Sequence, residues 1–448
     1  MQAIHDFLAS VSDFVWGPVM LVLLIGTGVY LTIGLRFFTF SHIGKAFKML
    51  FSSNKNSADK GEQSSFNALM TALAGTIGTG SIVGVATAIM AGGPGALFWM
   101  WCTALVGMAT KFAEILLALE YREVTPKGHV VGGAMYFIRN ALPKKWHFLG
   151  FLFAALAALA SFGIGNGVQA NAISGILEEA LDIPTWVTAV ALFLLVGVVV
   201  LGGVKRIGIV ASRIVPAMVV LYLGAALIIL IVNISDFPAM IAMVIHDAFS
   251  PAAATGGFTG ATVMMAIRFG MARGVFANEA GLGSSPIAHA TATNTPIKQA
   301  TLGMLDVFIT TMIVCTMTGF AILVTNQWCV AGAKGAAVTA KAFDTVLPGV
   351  GTIIVASSIA LFAFTTILGW CVYGERSAIF LFGDKALTPF RVLYTIAVPV
   401  GAILHLDIVW LFADVMNGLM AVPNLIGVLL LSPVVFRVAR KAVKDGTI

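Results

Sequence analysis

Charge is scarce in this chain. Of its 448 residues only 10% are Asp, Glu, Lys or Arg, against 59% hydrophobic. A soluble domain of this size carries about 25% charge, and its surface needs that charge to stay in solution. Cysteine is scarce too. Cys102, Cys315, Cys329 and Cys371 form no CxxC pair, which excludes a disulfide framework or a zinc ribbon. No HExxH and no clustered histidines occur, so a metalloenzyme lacks support, and neither GxSxG nor Gly-Lys-Ser/Thr is found. Residues 1–12 lack a basic n-region, so no cleavable signal peptide is expected.

What is present in quantity is apolar sequence. Mean hydropathy is +0.98, and the apolar stretches recur along the whole length, so the bilayer is the organising solvent. Eleven spans are expected, roughly 14–35, 66–91, 95–121, 148–178, 186–202, 209–233, 257–292, 300–325, 349–382, 390–405 and 408–436. The net charge of +6 is no nucleic-acid signal, because the basic residues are scattered through loops. Counted in and near the connecting segments, Lys and Arg divide 2 to 21 between alternate sides. The richer side includes Lys45, Lys48, Lys55, Lys60, Lys144, Lys145, Arg437 and Lys441. The positive-inside rule then puts the N-terminus outside and the C-terminus in the cytoplasm of an inner (plasma) membrane protein.

Two spans are interrupted at mid-depth by glycine and polar residues. The second carries Gly75-Thr76-Ile77-Gly78-Thr79-Gly80-Ser81, and the seventh runs polar from Arg268 to Ser284. They lie five spans apart, so they enter the membrane from opposite sides. Spans 2–6 and 7–11 therefore read as two inverted five-helix units, each opening with a broken helix, which is the pattern of secondary transporters. The expected organisation is an extra N-terminal helix and cytoplasmic loop (1–65), a first repeat (66–235), a second repeat (255–436) and a cytoplasmic tail (437–448).

The breaks are where chemistry is expected. Freed N–H groups at a half-helix start suit a carboxylate, and freed carbonyls suit a hard cation. The bland alternative for Gly75–Ser81 is a straight helix packing through Gly80 and Gly84. In the seventh span the break lies anywhere from Gly270 to Gly283. Arg268 or Arg273 is expected to pair with Glu279 or to line an aqueous path, and the alternative is a structural ion pair. Asn278 contacts ligand or braces the break. In the ninth span Thr365 and Thr366 offer two oxygens to a cation, with Trp370 on the face of Thr366; threonines bonded to their own helix are the alternative. In the fourth, Asn166 and Gln169 share a face and either read a ligand or join helices. Lys111 and Glu114 are expected to be a solvated or snorkelling pair near the cytoplasmic end.

At these residues the chain resembles a known family. Thr76-Ile77-Gly78-Thr79-Gly80-Ser81-Ile82 and Ala272-Arg273-Gly274-Val275-Phe276-Ala277-Asn278-Glu279-Ala280-Gly281-Leu282-Gly283-Ser284 are similar to the alanine or glycine:cation symporters, as are Phe14-Val15-Trp16-Gly17-Pro18 and Gly132-Gly133-Ala134-Met135-Tyr136. The resemblance covers nearly the whole chain. It implies an all-α polytopic protein with a leucine-transporter-like five-plus-five inverted repeat, taking up alanine or glycine with sodium by alternating access. Carried onto this sequence, it places substrate at Thr76, Gly78, Thr79, Gly80, Asn166, Gln169, Phe276, Asn278 and Trp370, and sodium at Gly75, Thr365 and Thr366. No organic cofactor and no enzymatic step are implied. The rivals are a channel, an intramembrane enzyme, and proton coupling through Glu279 or Asp306.

Overall fold

The computed structural model describes residues 2–51, 61–252, 260–330, 335–404 and 407–448. Lys55, Lys60 and the expected start of the seventh span at 257 lie outside the described residues. The chain is almost entirely helical. α1 (Gln2–Val15) and α2 (Pro18–Gly34) meet at a bend, with Pro18 at the first turn of α2, where its missing N–H costs nothing. They are followed by α3 (Phe38–Leu50), α4 (Ser65–Thr76), α5 (Val83–Gly92) and α6 (Gly95–Glu120). A small antiparallel hairpin, β1 (Glu123–Val124) and β2 (Val130–Val131), leads to α7 (Ala134–Ala141). Then come α8 (Lys144–Leu181), α9 (Thr185–Val200), α10 (Gly203–Val232) and α11 (Phe237–Phe249). The second half holds α12 (Val263–Asn278), α13 (Ser285–His289), α14 (Pro296–Val324), α15 (Ala336–Val346), α16 (Gly351–Phe382), α17 (Leu387–Ile403) and α18 (Asp407–Lys444).

Eight helices among the described residues are long and apolar enough to cross a membrane. The three remaining expected spans appear as shorter pieces. The second is split into α4 and α5 and the seventh into α12 and α13, while the fifth is the 16-residue α9. Four segments between the expected spans are helical rather than loop: α3, α7, α11 and α15. They are short, and their composition is less uniformly apolar than a span, so hydropathy did not mark them.

Burial follows the bilayer logic. The outward faces of α9 and α10 are apolar and bare, with Trp186 64%, Val198 65% and Val220 71% exposed. In water such faces would aggregate; in lipid they are at home. The helices approach closely through small residues. Gly270 of α12 sits against the backbone of Ala96 on α6, and Gly369 of α16 sits on the backbone of Gly75 on α4. Prolines inside α10, α17 and α18 (Pro216, Pro399, Pro423 and Pro433) are tolerated as they are in membrane helices generally. The interior is unusually polar for its depth: Trp370, Arg376, Tyr222, Tyr373 and Lys111 are among the largest fully buried side chains.

Candidate functional site

The first break follows from its glycines. α4 begins at Ser64, whose side chain accepts from the Asn67 amide, and runs regularly to Thr76. The Gly78 amide then turns to the Thr76 carbonyl, at 3.0 Å, so the helical ladder stops. Gly78 is extended, a single 3₁₀ turn covers Thr79–Ser81, and α5 resumes at Val83. Gly78 and Gly80 are required by close approach. A β-carbon on Gly78 would stand 2.6 Å from Thr366 Oγ1, and one on Gly80 would stand 2.9 Å from the Phe276 ring.

The second break lies at Glu279–Ser284. α12 ends at Asn278, and Glu279, Gly281 and Gly283 all take positive φ (54°, 91° and 78°) before α13 starts at Ser285. A glutamate in the left-handed region is uncommon; here both carboxylate oxygens are held. Trp370 Nε1 donates to Oε1 at 3.0 Å and Ser284 Oγ to Oε2 at 2.6 Å. Asn278 braces this break. Its Oδ1 accepts from the Ala280 amide at 3.0 Å and its Nδ2 donates to Thr311 Oγ1 at 3.2 Å.

Between the breaks lies a cavity of about 20 Å³. That is room for roughly one water, so this conformation is closed around its centre. Gly75, Thr76, Gly78, Thr79 and Gly80 form one wall; Gln169, Phe276, Thr366 and Trp370 form the other. Ile164, Glu279 and Asn417 complete it. Two of these residues present unpaired acceptors. Gln169 Oε1 and Asn417 Oδ1 are buried and have no hydrogen-bond partner among the described residues. A buried amide oxygen without a donor is costly, so each calls for one. With the Glu279 carboxylate, the cavity offers a set of acceptors suited to an ammonium group or a cation.

Three expected site residues are not brought to the cavity. Thr365 is adjacent to Thr366 on a helix, about 100° round the axis, and its hydroxyl donates to Phe362 O at 3.0 Å on the side facing Met218 of α10. Asn166 lies in a π turn of α8 (Gly163–Gly167) and donates to the Tyr394 carbonyl of α17 at 2.7 Å, joining helices. Asn278 serves the break as described.

The expectation of a solvated Lys111–Glu114 pair is corrected. Both are fully buried, and Lys111 Nζ instead lies 3.3 Å from Asp306 Oδ2. Asp306 also accepts from Thr76 Oγ1 at 2.5 Å and Ser285 Oγ at 2.9 Å, so one carboxylate ties both broken helices. Glu114 accepts from Asn424 of α18. The helix-facing periodicity was visible, but the partner, 195 positions away in sequence, was not. Nor does Glu279 pair with an arginine: Arg268 pairs with Asp13 at 2.5 Å, and Arg273 lines a vestibule beyond Phe276. Asn417 was missed. Its only sequence signal is that Asp414, Asn417 and Asn424 fall near one face of a long apolar helix, where polar groups are expensive.

The sodium:alanine symporter family model matches residues 1–445. The chain belongs to that family. It is 44% identical to the sodium/alanine symporter AgcS of Methanococcus maripaludis, over 96% of each chain. It is 48% identical to an uncharacterized transporter of Haemophilus influenzae, over 97% of this chain and 95% of that one. It is also 36% identical to the probable sodium/glutamine symporter GlnT of Bacillus subtilis, over 100% and 92%. Among solved structures it resembles MhsT in complex with L-phenylalanine (TM-score 0.53, 13% identity, 86% and 99% covered). It also resembles the manganese transporter of Eremococcus coleocola (TM-score 0.54, 13% identity, 83% and 82% covered). At that identity the likeness speaks for the fold, which is leucine-transporter-like. As a member of the sodium:alanine symporter family the chain is a multi-pass integral membrane protein and a cation-coupled amino-acid symporter.

Proposed function

We propose that the protein couples inward sodium flow to uptake of a small neutral amino acid, alanine or glycine, by alternating access. The observation that carries this is the cavity between the two breaks. One wall is backbone at Gly78 and Gly80 and the other is the bulk of Phe276 and Trp370. A wall of packed rings yields only with strain of ~1–3 kcal/mol, so a methyl side chain is accepted and a branched one refused. The substrate ammonium is taken by Gln169 Oε1 and Asn417 Oδ1, and its carboxylate by the amides freed at Thr79 and Gly80. Sodium is held by carbonyls near Gly75 with Thr366 Oγ1; Thr365 supports it only by packing. Eleven spans in two five-helix repeats, an outside N-terminus and a cytoplasmic C-terminus complete the reading, supported by the 2-to-21 division of basic residues.

Proton coupling through Glu279 is the second reading, favoured by the one observation that this carboxylate lines the cavity. The test of the first is uptake of labelled alanine into proteoliposomes under an imposed sodium gradient, with competitors added. Alanine and glycine should block uptake and leucine should not. Leucine blocking as well as alanine would overturn the small-pocket reading.

A further inference from the structure

Arg36, Arg440 and Lys444 have no part in the central cavity. They line a separate cavity of about 400 Å³ between the α2–α3 turn, α3 and the last turns of α18. Local structure explains why they meet. α2 and α18 are fastened together just before it. The Tyr30 and Phe436 rings stand 5.8 Å apart, Tyr30 Oη lies 3.0 Å from Ser432 Oγ, and a side chain at Gly34 would strike the Phe436 ring. Past that contact α2 ends, and the chain turns into α3 through Arg36 and Phe37, both at positive φ (53° and 57°). α18 instead continues to Lys444. Phe436, Arg440 and Val443 follow one another at helical spacing on one face of it, with Lys444 beside them.

The cavity is apolar and cationic at once. Leu35, Phe38, Phe436 and Val443 give it apolar walls, and no acidic side chain lines it. Arg36, Arg440 and Lys444 make no ion pair and no hydrogen bond among the described residues. All three are exposed, so water hydrates them. A soluble anion would gain little there, since salt screens exposed charge within about 8 Å, and it would leave the apolar walls wet. A phospholipid differs on both counts. Its chains already lie in the bilayer, so its headgroup stands at high effective concentration beside the site. Its glycerol end covers apolar wall, and its phosphate meets the guanidinium forks of Arg36 and Arg440, which bind phosphate oxygens in pairs. The cavity sits where two spans end, at the surface that the basic residues mark as cytoplasmic, where anionic headgroups and basic pockets meet.

We propose that this cavity is a binding site for an anionic phospholipid of the cytoplasmic leaflet, its phosphate on Arg36, Arg440 and Lys444 and the start of its chains along Leu35, Phe38, Phe436 and Val443. The lipid bridges the turn after the first span to the end of the last one. A zwitterionic lipid is disfavoured, because its quaternary ammonium would enter a cluster of three cations. The assignment does not depend on which amino acid is carried.

The test is native mass spectrometry of the full chain in detergent, titrated with dioleoylphosphatidylglycerol or dioleoylphosphatidylcholine. One phosphatidylglycerol per chain should bind about tenfold or more tighter than phosphatidylcholine. R36Q/R440Q/K444Q should weaken phosphatidylglycerol by about tenfold or more. K45Q/K48Q/K298Q removes the same charge from a different cavity beside α3 and should leave that affinity within about twofold. Unfolding temperatures without added lipid should match the native one, which separates lost binding from lost fold. Millimolar inorganic phosphate should not displace the lipid. The native preference between the two lipids is decisive without any variant: equal binding of both, or no binding of phosphatidylglycerol, overturns the site. So does an equal loss in the two triple variants, and displacement by inorganic phosphate would reduce it to an anion site and overturn the lipid.

Discussion

Gly78 and Thr366 meet across the first break at a separation that leaves no space for a side chain: a β-carbon on Gly78 would stand 2.6 Å from Thr366 Oγ1. The obstacle is a hydroxyl on a β-branched, stiff side chain in a packed helix, so it does not move aside cheaply. G78A should therefore lower the alanine uptake rate at least tenfold, about 1.4 kcal/mol, at normal expression. Uptake within twofold of native would mean that the two helices separate more easily than their packing implies.

The same geometry separates two neighbouring threonines. T366V removes a hydroxyl that lines the cavity, and T365V removes one that faces α10. Sodium activation of uptake should shift about tenfold in T366V and less than about twofold in T365V. Equal shifts in the two variants would contradict the assignment of the cation to the Thr366 side.

How far the sequence reached is clear from such pairs. Gly78 and Thr366 were both legible as candidates, because a glycine and a hydroxyl at mid-depth in an apolar span permit close approach and offer an oxygen; both line the cavity, and Thr366 Oγ1 also donates to the Phe362 carbonyl of its own helix at 2.9 Å. Which threonine of the Thr365–Thr366 pair faces inward depends on the rotation of α16, and an apolar helix with lipid or protein on every side carries no stripe to fix that rotation. The seventh span was legible as broken, but its abundance of glycine from Gly270 to Gly283 hid the position. Gly270 and Gly274 serve helix contact with Ala96 and Thr103, whereas Gly281 and Gly283 carry the turn. Lys111 and Glu114 misled for a different reason. Their three-residue spacing suggests a mutual pair, yet Asp306 reaches Lys111 from a distant helix.

Lys111 and Asp306 make a strong stability prediction. Removing one partner of a buried pair leaves the other uncompensated, at a cost of ~3–5 kcal/mol. K111M should lower the unfolding temperature in detergent markedly, and K111M/D306N should recover much of the loss. The double variant should still be impaired in uptake, because Asp306 also accepts from Thr76 and Ser285 on the two broken helices. A double variant no more stable than K111M would show that Asp306 does not need the lysine.

Trp370 both walls the cavity and donates to Glu279. W370F keeps a ring and loses the donor, so it should retain selectivity for alanine over leucine while uptake slows. W370A opens the wall, and leucine should become a competitor of alanine uptake. Leucine excluded equally by W370A and the native protein would place the size filter elsewhere.

Orientation is testable at the two ends. In a background lacking the four native cysteines, S10C should react with an impermeant maleimide added to intact cells, and K441C only after permeabilisation; both positions are exposed. The opposite pattern would invert the topology.

The central claim is that sodium and a small amino acid cross together. The most direct measurement is the influx of labelled sodium and labelled alanine into the same proteoliposomes, with an inward alanine gradient and no sodium gradient imposed. The account predicts that alanine drives transient accumulation of sodium above its external level, that glycine does the same, and that T366V weakens the effect. Alanine influx that leaves sodium at equilibrium while an imposed proton gradient accelerates it would contradict the account.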